Sequence, residues 1–203
     1  MMKVFKRMII CAALAVLCWG FFLISDKISL SRELIRFHVV ANSDSQEDQS
    51  MKLTVRDAVL NSIQADLQAI SDIENAKEYL QNSLPKIQIL VDQTLMEMGF
   101  QGPSVVSFCK EQFDVRHYDT FSLPAGVYES LRIVIGEGKG KNWWCVSFPT
   151  LCLPATVSEF RDVAVGAGFS DSLVRTLSGD EAYEIRFFFL DQLGILENIL
   201  FMK

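Results

Sequence analysis

His38 is the residue best placed to do chemistry. Asn42, Ser43, Asp44, Asp48 and Gln49 follow it closely, and Lys52 and Arg56 come one and two turns later. An imidazole oriented by a carboxylate can act as a general base, and Asp44 or Asp48 could supply that carboxylate. The competing reading is structural: a strand histidine among hydrophobes, satisfied by a backbone or turn partner. Ser43 lacks the G-x-S-x-G setting of an elbow nucleophile. Asn42, Ser43 and Asp44 could coordinate a cation, but a calcium loop needs Gly near Glu47 and a carboxylate near Leu53, and neither is present. The plainer role of this cluster is capping, with Asp44 or Ser45 accepting from the first amides of a helix.

A second group lies at Gly136–Cys145, GEGKGKNWWC. Its glycines invite a phosphate reading, but Lys141 is followed by Asn142 rather than Ser or Thr, so it is no P-loop. Lys139 and Asn142 are polar groups of a turn. Trp143 and Trp144 follow on a candidate strand, where neighbours face opposite sides. One tryptophan can then be core and the other an outward anchor for a protein partner, or both can be buried.

The elements that position these groups follow from periodicity. Phe37, Val39 and Val40 read as a short buried strand. From Gln46 onward, Met51, Val55, Val59, Ile63 and Leu67 recur every four residues, which predicts a helix, and Asp48, Lys52 and Arg56 form a polar stripe on another face. Ser71-x-x-Glu74 reads as a capping box opening a second helix, kinked or restarted at Pro85 and ended by Gly99. Ser104–Lys110 reads as a strand. Glu129–Gly136 and Asn142–Phe148 read as a hairpin around the Gly-rich turn. Ser158–Ala167 and Asp171–Leu177 are short helix candidates, and Tyr183–Leu200 reads mainly as helix, although its Phe-rich start also fits a strand. The expected fold is α+β: a single compact domain with a small antiparallel or mixed sheet packed on helices, behind an N-terminal membrane-targeting helix.

The first block resembles the stage II sporulation protein R family, whose members carry R-x-H-V-x-A-N-S-D-x-x-x-D-Q and then K-x-x-V-R-D. The matching residues are Arg36, His38, Val39, Ala41, Asn42, Ser43, Asp44, Asp48, Gln49, Lys52, Val55, Arg56 and Asp57. A second block matches through Leu123–Gly126, Tyr128, Leu131, Arg132 and Ile135–Cys145. It departs from the family's Pro-Pro-Leu-Cys at Thr150, within Pro149–Cys152. The resemblance runs from about Leu34 to the C-terminus. It implies a protein made in the forespore and exported toward the space between two membranes. There it would trigger a membrane-embedded aspartic protease of the mother cell, which cleaves the precursor of sigma factor E. The resemblance implies no enzyme activity and no cofactor. The alternative is a small exported hydrolase using His38 with Asp44 or Asp48.

Charge and cysteines set the compartment. Residues 1–25 hold three basic residues and no acid, whereas the other 178 hold 16 basic and 25 acidic residues, a net −9. An acidic body argues against nucleic acid as a partner. Lys3, Lys6 and Arg7 precede the uncharged run Met8–Ile24, so residues 1–25 read as a signal peptide or signal anchor, with residues 26–203 outside the cytoplasm. There Cys145 and Cys152, with six residues between them, are expected to form a disulfide, although both could stay reduced along with Cys109. A zinc site is disfavoured, because these cysteines form no close ligand pair and His38 and His117 keep no fixed spacing to them. The candidate partner surfaces are therefore His38 and the junction Asn42–Gln49 with Lys52 and Arg56, and the turn block Gly138–Trp144.

Overall fold

The computed structural model describes residues 2–149, 157–180 and 184–201. The chain opens with a long helix, α1 (Met2–Glu33), and enters strand β1 (Ile35–Val40). Two helices follow, α2 (Gln46–Ala69) and α3 (Ile73–Glu97), and then β2 (Ser104–Phe113). A minor two-stranded sheet, β3 (Arg116–His117) with β4 (Ser122–Leu123), leads to β5 (Gly126–Ile135) and β6 (Asn142–Phe148). The chain closes with α4 (Val157–Gly166), α5 (Asp171–Leu177) and α6 (Glu184–Phe201). The α+β expectation holds, and the sheet is mixed. Its order is β2-β5-β1-β6, with β1 parallel to β5 and antiparallel to β6.

That order corrects the expected hairpin. β5 and β6 do not pair; β1 lies between them. All six residues of β1 are buried. A strand with no solvated face or edge needs a neighbour on each side to bond its amides and carbonyls. Passing over one intervening strand takes roughly 10 Å, and the six residues 136–141 span that easily. The Gly-rich segment is therefore a bridge over the end of β1, not a tight turn.

The predicted α2 face is the buried one: Met51, Val55, Val59, Ile63 and Leu67 pack with Leu80, Ile87, Val91 and Leu95 of α3 against Phe37, Val39, Leu131 and Ile133 of the sheet. Ser45 is the N-cap, accepting from the Asp48 amide at 3.1 Å. The second cap is shifted by one from Ser71: Asp72 accepts from the Asn75 amide at 2.9 Å. Pro85 does not interrupt α3. It is exposed, as is Gln81, whose carbonyl loses its usual donor and is open to water. Gly99, at φ +81°, ends the helix as expected.

The other sheet face is covered over one half by a second cluster, in which Phe113, Tyr128 and Val146 meet Leu30 of α1, Phe160 of α4, Leu173 of α5 and Leu190 of α6. The half of that face nearest the C-terminal end of β1 stays open, and the polar groups gather there.

Candidate functional site

The two sequence blocks meet in space. Asp48 accepts from Asn42 Nδ2 at 2.9 Å and from Ser43 Oγ at 2.5 Å, which closes the strand-to-helix junction on itself. The junction then grips the bridge. Asn42 Oδ1 accepts from the Glu137 amide at 3.0 Å, and Asp44 Oδ1 accepts from the Lys141 amide at 2.7 Å. The Asn42 and Ala41 carbonyls accept from the Lys139 and Gly140 amides. Lys52 Nζ donates to the Lys141 carbonyl at 3.0 Å and to Gln49 Oε1, while Gln49 Nε2 donates to the Ser43 carbonyl. Two glycines are obligatory. At Gly136, with φ +59°, a Cβ would lie 2.1 Å from Asn42 Oδ1; at Gly140 it would lie 2.2 Å from the Ser43 carbonyl oxygen. The Ser43 and Asn42 donors hold the Asp48 carboxyl below its usual range. Burial pushes the Lys52 ammonium down, with the Asp44 charge opposing.

Beside this clasp lies a cleft of about 290 Å³ on the open sheet face, lined by His38, Val40, Glu111, Arg132, Asn142 and Trp144. Sheet register explains the gathering: Arg132, His38 and Trp144 stand side by side on β5, β1 and β6. His38 is buried, and its Nε2 lies 2.7 Å from Glu111 Oε2. Arg132 Nη1 donates to Glu111 Oε1 at 3.0 Å. Burial raises the Glu111 carboxyl, but the His38 hydrogen bond and the His38 and Arg132 charges outweigh it, and the net shift is downward. The His38 ring stacks on Trp144 at 4.7 Å and 6°, and the Arg116 guanidinium lies 4.4 Å over the same tryptophan.

This geometry corrects the alternative in which Asp44 or Asp48 orients His38. Asp44 and Asp48 are held by the clasp, and Glu111 orients His38 instead. Among the described residues no hydroxyl or thiol is hydrogen-bonded to His38, and no group of three or more His, Cys, Asp or Glu is placed to hold a metal ion. The arrangement is a rigid, charged, half-aromatic recess suited to holding a polar group of a partner.

The tryptophans divide as strand alternation requires. Trp143 faces α2, edge-on to Phe37 at 5.7 Å, with the Arg56 guanidinium 5.0 Å over its ring. Trp144 faces the cleft. Both are half-buried, so each is partly core and partly surface. Lys139 is well exposed and pairs with Glu137 at 2.7 Å. Of the predicted surface, Asn42, Ser43, Asp48, Gln49 and Lys52 are mainly occupied in positioning, whereas Asp44, Arg56, Lys139, Asn142, Trp143 and Trp144 reach the surface to differing degrees. Cys145 is buried; its expected partner Cys152 lies outside the described residues.

Sequence reasoning missed Glu111, Arg132 and Arg36 as site residues. Arg36 and Arg132 stood in the matched motifs, but Glu111 had no local signal because 73 positions separate it from His38. The Arg36 guanidinium is wholly buried, 4.3 Å over Phe113, and donates to the Tyr118 hydroxyl at 3.0 Å. Burial pushes its pKa down.

The family model for stage II sporulation protein R matches residues 31–158. That stretch contains the clasp, the cleft and every strand of the sheet. The chain belongs to the stage II sporulation protein R family. The match stops at residue 158, so α5 and α6 lie beyond it, short of the C-terminal extent that the motifs suggested. A curated relative, stage II sporulation protein R of Bacillus subtilis (strain 168), is 39% identical over 120 residues. That alignment covers 59% of this chain and 54% of the relative, so the chain spans about half the length of the curated relative it matches. No solved structure matches. The N-terminal helix is long and apolar enough to cross a membrane, as a signal sequence or an anchor: within Val4–Glu33 an 18-residue stretch reaches a mean hydropathy of 2.5.

Proposed function

We propose that this protein is an exported forespore signal. It binds a membrane-embedded aspartic protease of the mother cell and activates cleavage of the sigma factor E precursor. The observation that carries the reading is the family match across both blocks, joined to an N-terminal helix with basic residues ahead of its apolar run. The geometry is compatible with binding rather than chemistry. A clasp holds Lys139, Asn142 and the tryptophans on a rigid rim, and rigid presentation lowers the entropy lost on docking. Activation requires only that this rim bind the active arrangement of the protease better than the inactive one.

The test is a sporulating strain in which this chain is deleted and variants are returned. Deletion should leave the sigma-factor precursor uncleaved, and the unaltered chain should restore cleavage. Arg56→Ala and Trp144→Ala, exported at normal levels, should fail to restore it. Normal cleavage in the deletion strain would overturn the assignment. Normal cleavage with both variants would overturn the surface.

A further inference from the structure

The last helix is built inside out. Its inward stripe carries Arg186, Asp191, Glu197 and Asn198, each with a partner on the body. Asp191 Oδ1 accepts from the Ala125 amide at 2.8 Å. Glu197 Oε2 accepts from the Val127 amide at 3.0 Å and from Lys27 Nζ at 2.7 Å. Asn198 Nδ2 donates to the Phe113 carbonyl at 2.9 Å, and Arg186 pairs with Asp26. At the centre Gly194 allows backbone contact, since a Cβ there would lie 1.5 Å from the Ala125 carbonyl oxygen. The outward face is the apolar one: Ile185, Phe188, Ile195, Leu196, Ile199 and Leu200 are all exposed, and the exposed polar residues of the helix are Gln192 and, at its first position, Glu184. A surface helix of a water-soluble domain shows the reverse pattern. An exposed apolar face of this extent marks a surface that is covered in use.

The contacts with α1 say what covers it. Asp26 and Lys27 are neighbours on α1, yet they reach Arg186 and Glu197, eleven positions apart on α6. At 1.5 Å per residue that separation is roughly 16 Å, so α6 crosses α1 rather than running beside it. Phe189, on the outward side, meets Trp19 edge-to-face at 4.9 Å. Trp19 lies within the uncharged run of α1, whereas Asp26 and Lys27 lie past its end. Seven residues of α1 cover roughly 10 Å, about one helix diameter. The apolar side of α6 is thus level with the apolar run of α1, and its polar side is level with the charged residues beyond that run.

We infer that α6 lies in the plane of the membrane that α1 enters, with its exposed face among the lipid acyl chains. The body then touches the bilayer through two helices, one crossing and one lying flat, and the interfacial helix fixes the tilt of the domain on the surface. The inward placement of Arg186, Asp191, Glu197 and Asn198 turns these side chains to partners on the body and away from hydrocarbon, where an unpaired polar group is costly. This contact rests on α1 entering a bilayer and not on the protease reading. It lies outside the family-matched residues.

The test uses the full chain in vesicles of phosphatidylcholine and phosphatidylglycerol. A photoreactive benzoylphenylalanine replaces Phe188, Leu196, Phe21 of α1, or Leu53 on the exposed side of α2, one at a time. After illumination, lipid adducts are read by mass. Lipid adducts are expected at 188, 196 and 21 and should be lost at 53. Adducts at 21 without adducts at 188 and 196 would overturn the inference while leaving α1 as a membrane helix. Crosslinks from 188 and 196 to a second copy of the chain, in place of lipid, would also overturn it. Phe188 and Leu196 are exposed, so neither substitution disturbs the core.

Discussion

Asn42→Ala should loosen the whole polar rim. Asn42 Nδ2 donates to the Asp48 carboxylate and Asn42 Oδ1 accepts from the Glu137 amide. A hydrogen bond to a charged group contributes about 1.5–3 kcal/mol and a neutral one about 0.5–1.5 kcal/mol. The junction is half-open to water, so the low end of each applies, and the loss comes to about 2 kcal/mol. For a body of this size that corresponds to a fall in Tm of roughly 4–8 °C. Asn61→Ala, on the exposed side of α2, should stay within about 0.5 kcal/mol of the unaltered chain. Heat denaturation followed by tryptophan fluorescence reads both, because Trp143 and Trp144 adjoin the bridge. Asp48→Ala should lose the same Asn42 bond and the Ser43 bond. The double variant should therefore fall short of the sum of the single losses by about 1.5 kcal/mol, the charged bond that both single variants lose. An Asn42→Ala shift no larger than that of Asn61→Ala, or strict additivity with Asp48→Ala, would refute the clasp.

Glu111→Gln should destabilise the protein at neutral pH, and the gap should narrow on acidification. The folded-state Glu111 carboxyl is depressed, so its contribution is fully present above the ordinary carboxylate value and is lost as pH falls through the depressed one. Urea midpoints of the two proteins at neutral pH and below the ordinary carboxylate range check this, and a gap independent of pH would refute it. If the protein is exported as proposed, peptide mapping without reduction should recover Cys145 and Cys152 linked. Free thiols at both positions would count against the pairing.

Local chemistry was legible in the sequence wherever one element decided it. The buried face of α2 follows from apolar spacing alone, because a helix of fixed pitch brings every fourth residue to one side. Ser45 as a cap and Gly99 as a stop are likewise decisions of a few neighbouring residues. The Ser71 cap was misplaced by one residue because two acceptors stood side by side, and Asp72 took the role. Pro85 suggested a break that exposure of that turn made unnecessary.

The sequence by itself determined the long helices and the four strands of the main sheet, though not the short β3 and β4, and it marked the apolar face of α2 and the two blocks that carry unusual polar residues. Tertiary structure alone decided how those segments join. β1 enters between β5 and β6 because a six-residue buried strand needs partners on both edges, and no local pattern in β5 or β6 reveals an intruder. The same insertion carries Asn42 and Asp44 to the bridge and His38 to Glu111 and Trp144. It also leaves Asp44 and Asp48, the nearest acids in sequence, bonded within the junction and to the bridge rather than to the histidine that one of them could have oriented. In α6 the helix was legible but its orientation was not. Periodicity marks an apolar face; only the bonds of Asp191, Glu197 and Asn198 to the body show that this face points outward.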